Sequence, residues 1–137
     1  MKKIFSALLL IVMLFGISVQ AETAITVNSE ALITDTAPTV ENGQFMIPMR
    51  AVFEKLGFTI SWDGETSTAF AFHEEKIIMV QIANDTAFIN GESVALDIPA
   101  KIVNSRTLIP ASFIESTLGV KIMHHSSADV IEITSAQ

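Results

Sequence analysis

From Ala24 onward, short apolar runs alternate with polar turns at close intervals, a pattern of strands rather than of long helices. The segments "AITVNSEALI" and "AFINGESVAL" each read as two strands about a polar pair, and Asn90-Gly91 carries the residue types that accept the positive φ angles of a two-residue hairpin. A further polar turn, Asn42-Gly43 or Asn104-Ser105, precedes an apolar strand that ends at Pro48 or Pro110. Proline fixes φ near the helical value and lacks only an N–H that the first helical turn leaves unbonded, so a helix is predicted to start at each. Met49, Val52, Phe53 and Leu56 then fall at i, i+3, i+4 and i+7, one apolar face, while Arg50, Glu54 and Lys55 point elsewhere. Gly57 and Gly119 stand where left-handed caps would end the two helices. Helices this short are not stable alone and must lie against a sheet. Beyond Gly57 the period becomes that of strands, "FTISWD", "TAFAF" and "KIIMVQIA", with His73-Glu74-Glu75 as the turn between the last two. Ile77 to Val80 shows no alternation, which predicts a central strand covered on both faces.

The elements recur. Shifted by 62 positions, the chain aligns with itself without a gap from Val27 through Asp63, so that Asp35 meets Asp97, Ile47 meets Ile109, Pro48 meets Pro110 and Gly57 meets Gly119. Two copies are too few for an open solenoid, which needs three or more units. The expected architecture is one pseudo-symmetric α+β domain over 22–137, a mostly antiparallel β-sheet wrapping two short α-helices, built from fused half-repeats of about 24–86 and 87–137.

The amino-terminal end changes the compartment. Met1-Lys2-Lys3 is a basic start, Ile4 to Val19 is apolar and uncharged, and Val19-Gln20-Ala21 places alanine before a cut at Glu22. This is the layout of a secretory signal peptide over 1–21, and the apolar run is short for a membrane span of roughly 20 residues. An exported chain with no stable membrane insertion after cleavage is expected. Cysteine is absent, so stability must come from packing and not from disulfides. Without Lys2 and Lys3, the eight basic side chains become six against fifteen acidic ones, a net charge of −9. Such a surface repels nucleic acid, and no basic cluster offsets it.

The stretch "NGQFMIPMRAVFEKLGFTISWD", Asn42 to Asp63, strongly resembles the repeated motif of the copper amine oxidase N-terminal-like (stalk) domain family. Ile47-Pro48-Met49-Arg50, Phe53-Glu54, Leu56-Gly57 and Trp62-Asp63 carry the likeness in the first copy, Arg106-Thr107-Leu108-Ile109-Pro110 and Leu118-Gly119 in the second. The second copy departs at Ser112, in place of the arginine, and at His124-His125, in place of Trp-Asp. The resemblance spans residues 24–134 and implies a non-catalytic module of secreted or wall-associated bacterial proteins, without the oxidase's copper chemistry.

The residues themselves offer little catalytic chemistry. The chain has no tyrosine from which the oxidase cofactor could form and only three histidines, His73, His124 and His125. Neighbours on a strand point to opposite faces, so His124 and His125 are poorly placed to share a metal. No cysteine nucleophile, G-x-S-x-G elbow or phosphate-cradling glycine loop is present. The acidic pairs Glu74-Glu75 and Asp63-Gly64-Glu65 lie in turns without a burial signal. No catalytic, cofactor or metal residue is therefore assigned. Arg50 is expected to partner a turn carboxylate or exposed carbonyls, Trp62 to pack at a sheet edge and Phe53 to be core. The expected function is a non-catalytic binding or scaffolding module of the cell envelope whose ligand is a wall polymer or an exported protein. Arg50, Trp62, His124 and His125 are its candidate partner surface. The alternatives are an exported inhibitor or accessory subunit of a hydrolase, and a weak metal-binding protein.

Overall fold

A computed structural model describes residues 22–136 of the chain. The predicted signal peptide and its cleavage point lie outside the described residues. In chain order the elements are β1 (Ala24–Val27), β2 (Glu30–Ala31), β3 (Thr39–Glu41), β4 (Gln44–Pro48), α1 (Met49–Lys55), β5 (Thr59–Asp63), β6 (Thr68–His73) and β7 (Lys76–Gln81). There follow β8 (Thr86–Ile89), β9 (Glu92–Ala95), β10 (Lys101–Val103), β11 (Arg106–Pro110), α2 (Ala111–Leu118), β12 (Lys121–His125) and β13 (Val130–Thr134). The fold is α+β and mostly antiparallel. Its strands divide among three sheets, ordered β10-β11-β4-β3, β12-β13-β1-β2 and β5-β6-β7-β8-β9. Among the described residues the exception to antiparallel pairing is β1 beside β13, which run parallel.

Turn chemistry closes the hairpins. Asn90 and Gly91 adopt φ of 50° and 84° between β8 and β9, and Asn28-Ser29, Asn42-Gly43 and Asn104-Ser105 are likewise positive at both positions. These are the twists that match two paired strands. The helices begin one residue after the prolines, with Pro48 and Pro110 closing their strands as N-caps.

The centre of the molecule is the antiparallel pair β4 and β11. Ile47 faces Ile109, Met46 faces Pro110 and Pro48 faces Leu108. Residues 62 apart thus exchange places across the ladder, which is the signature of a two-fold relation through the Ile47–Ile109 pair. The same shift carries the bounds of β1 onto β8, β3 onto β10 and β5 onto β12. The outer sheets differ by one strand. Thr26 of β1 pairs directly with Glu132 of β13, whereas their counterparts Phe88 and Phe70 both pair with Met79 of β7. Inserting β7 leaves the register unchanged and is accommodated by smaller side chains. Ala69, Ala71 and Ala87 stand where the other half has Ile131, Ile133 and Ile25, and Ile78 and Val80 of β7 add the volume back; all are buried.

Each helix leans on the other half's central strand. α1 packs on β11 and β5 as well as β4, and α2 packs on β4, β11 and β12. α1 buries Met49, Val52 and Phe53, with the Phe53 ring 5.2 Å from that of Phe58. α2 buries Phe113, Ile114 and Thr117, a face turned relative to that of α1. The counterpart of Phe53 is Glu115, whose carboxylate accepts the Ile122 N–H at 3.1 Å. Met46 and Leu108 point away from this main core into a small cluster with Ile98.

One expectation is corrected. β7 is the central strand of its sheet, but only Ile78 and Val80 are buried, and Ile77 on the opposite face is 44% exposed. The run lacks alternation because both faces are apolar, yet the described residues bury only one of them.

The central ladder generates a stability prediction. Ile47→Ala and Ile109→Ala, each at a fully buried site, should lose about 2–5 kcal/mol in urea unfolding. Val40→Ala on exposed β3 should stay within about 0.5 kcal/mol. Comparable small losses at all three would refute a core organised about that pair.

Candidate functional site

A groove with a volume of about 1020 Å³ opens beside α1 and the end of β5, and Arg50 and Trp62 both line it. Trp62 stands on edge strand β5, on the row facing the core side, and is 42% exposed. Ile102 and the fully presented Ile33 add apolar wall. The groove's other cations are engaged. Lys55 Nζ donates to Glu30 Oε2 at 2.6 Å, and Arg106 donates from Nη2 and Nε to the two oxygens of Asp35 at 2.7 and 3.0 Å. These bonds hold the Asp35 carboxyl below its ordinary range, the Arg106 hydrogen bond contributing most, and the hydrogen bond from Lys55 does the same for Glu30. The turn carboxylate expected for Arg50 therefore belongs to Arg106. Arg50 itself has no carboxylate within ion-pair distance among the described residues, although Glu54 lines the same groove.

The groove exists because the two halves differ there. At the positions 62 residues away, Ser112 replaces Arg50, His124 replaces Trp62, and Phe45 replaces Thr107. Gln44 Oε1 accepts the Ser112 N–H at 2.7 Å, and Ser112 Oγ donates to Asp97 Oδ2 at 3.1 Å. The His124 ring meets Phe45 edge-on at 4.7 Å. The side chains of that half satisfy one another. In the first half the small Thr107 leaves the Trp62 ring uncovered, and Arg50 has no such partner.

The histidines are dispersed. His73 lies in β6, where its Nδ1 bonds the Gly57 carbonyl oxygen at 3.1 Å and its ring lies 5.0 Å from that of Phe58. A side chain on Gly57, at φ +97°, would meet that ring at 3.3 Å, so glycine, imidazole and helix end are fitted together. His124 Nε2 donates to Asp129 Oδ1 at 2.9 Å, and His125 Nε2 bonds Glu132 Oε1 at 3.3 Å. Of the four candidate partner-surface residues, the structure brings Arg50 and Trp62 together. It leaves His124 and His125 on β12 in another sheet, pairing with Ile131 and Val130 and so facing opposite ways. The contribution of Arg106 and Ile102 was not singled out from the sequence, although Arg106 stands within the repeated motif.

The family model of the copper amine oxidase N-terminal domain matches residues 26–133, and the chain belongs to that family. No curated protein matches it. The residues do not fit a copper centre: the three imidazoles are divided between two sheets, each is engaged locally, and among the described residues no three potential metal ligands converge.

Asp129 fastens the start of β1. It accepts hydrogen bonds from His124 and from Thr23 Oγ1 at 3.0–3.1 Å, and these, the histidine's first, hold its carboxyl below the ordinary range. A depressed carboxyl pKa stabilises the fold fully above the ordinary value and loses that contribution as pH falls through the depressed one. Asp129→Asn should therefore lower the thermal midpoint at neutral pH, with the gap to wild type narrowing toward pH 3. A gap that widened with acid would contradict the assignment.

Proposed function

We infer that the chain is a non-catalytic, exported binding module of the cell envelope, and that its groove takes a wall polymer carrying sugar rings and carboxylates. The observation that carries this reading is the Arg50 guanidinium, without a carboxylate partner among the described residues, lining the same groove as the half-exposed Trp62 ring. An indole face offers apolar contact to a sugar ring, and a guanidinium binds a carboxylate through two parallel hydrogen bonds. A polymer with both groups can satisfy both residues at once. The basic start followed by an apolar run from Ile4 to Val19 supports export, and family membership supports an accessory module. Asp35, one of the groove's carboxylates, is committed to Arg106, which holds its carboxyl below the ordinary range and so unsuited to donating a proton.

The other half of the molecule supplies the test variant. Arg50→Ser with Trp62→His installs the residues that the same backbone already carries at 112 and 124. In co-sedimentation with isolated cell wall from the producing organism, the chain from Glu22 onward should pellet in moderate salt. The double variant should bind at least about tenfold more weakly with an unchanged circular dichroism spectrum. A wild-type chain that stays in the supernatant, or a variant that pellets equally, would rule the reading out.

A further inference from the structure

The outer face of the five-stranded sheet carries a second surface, separate from the groove. Register places Ser61, Phe70, Met79, Phe88 and Ser93 side by side in one row across all five strands. A second row pairs Phe72 with Ile77. The Phe70 and Phe72 rings stack at 6.3 Å, and Phe72, Ile77 and Phe88 are each more than a third exposed. Solitary exposed apolar residues need no explanation, but a contiguous patch of five on a regular sheet marks an interaction surface.

The other half of the fold serves as an internal control. Its outer sheet has the same register, yet Glu132 stands at the position of Phe70, Thr134 at that of Phe72 and Thr26 at that of Phe88. Solvent-compatible residues are thus accepted by this backbone at these points. The apolar choice on one sheet is not a requirement of the fold.

We propose that this face is a homodimer interface, formed by two copies packing their five-stranded sheets against each other. Three features favour a second copy. First, the two apolar rows bear no charge in a chain that is strongly acidic overall, with Asp63 only at one corner of the face, so two like copies meet on these rows without repulsion and no complementary charge waits there for a different partner. Second, the central row reads serine, phenylalanine, methionine, phenylalanine, serine from either edge. A two-fold axis between the sheets, along or across the strands, sets large side chains against large ones in both cases. An isologous contact needs this self-complementarity. Third, the size suits a weak, self-limited dimer. Five strands of four to six residues, about 4.8 Å apart with about 3.3 Å per residue, give a flat footprint of roughly 400 Å² per copy, or about 800 Å² over both, before side-chain relief is added. That is the size of weak, reversible contacts. The product is a sandwich of two aligned sheets about 10 Å apart. Met79 lies at its centre, and Ile78 and Val80 face each copy's own core.

Sedimentation equilibrium of the chain from Glu22 onward, which holds every element of the fold, tests the proposal. The expected species at tens of micromolar is twice the chain mass. Phe88→Lys and, separately, Ile77→Lys should raise the dimer dissociation constant about tenfold or more, since each buries a charge opposite its own copy. Val40→Lys, at an exposed apolar site on β3 outside the face, should leave it unchanged. Two lysine variants guard against one failing to fold. A wild-type chain that is monomeric at about 100 µM overturns the proposal, as does a dimer that survives both substitutions on the sheet.

Discussion

The pairing of β4 with β11 is the constraint on which the rest of the molecule depends. With Ile47 opposite Ile109, each central strand lies beside the other half's copy of itself, and each helix is forced onto the strand contributed by the opposite half. A single half would leave Val52, Phe53 or Ile114 over an unpaired edge, with the backbone groups of β4 or β11 also unbonded. Neither unit can close its own core, and so the motif occurs twice. Burial follows the shift: Met46 and Leu108, Ile47 and Ile109, Val52 and Ile114, Phe58 and Val120 are all buried.

Symmetry of this kind tolerates departures only where volume is conserved or water is present. The extra strand β7 is the largest departure, and three alanines offset it on the inner face. Phe53 and Glu115 are a second case. One fills space against Phe58, and the other uses the same location to satisfy a backbone N–H at the start of β12. Even half-buried, that carboxylate gains from a backbone donor, and the counterpart of Phe58 is the smaller Val120.

What was legible in the sequence was local. Asn-Gly and Asn-Ser pairs disclosed hairpins, the i, i+3, i+4 spacing disclosed α1, and the 62-residue shift disclosed the correspondence of halves, because each rests on neighbours in the chain. Contacts between distant segments left no such trace. The parallel pairing of β1 with β13 joins residues 106 apart, and nothing in either strand announces its partner. Arg106 and Arg50 are both basic residues beside a proline strand, and only the fold decides which of them reaches Asp35. The apolar run of β7 was readable as two apolar faces, but periodicity cannot say whether the second face is covered. On the candidate site, sequence reasoning found Arg50 and Trp62, since single arginines and tryptophans are conspicuous. It named His124 and His125 with them, and these lie on β12 in the other half, facing opposite ways.

The same comparison explains how a two-fold scaffold comes to have one-sided surfaces. A strict repeat would present two equal grooves and two equal sheet faces. Among the described residues the two halves differ in both kinds of surface. The groove opens where Thr107 and Trp62 replace Phe45 and His124, and the apolar face appears where Phe70 and Phe88 replace Glu132 and Thr26. None of these exchanges touches the Ile47–Ile109 ladder, so each could be made without disturbing the interaction that holds the halves together. A core fixed at its axis and free at its periphery allows two surfaces to diverge separately. The binding chemistry of the groove and the apolar chemistry of the sheet are then independent properties of one fold.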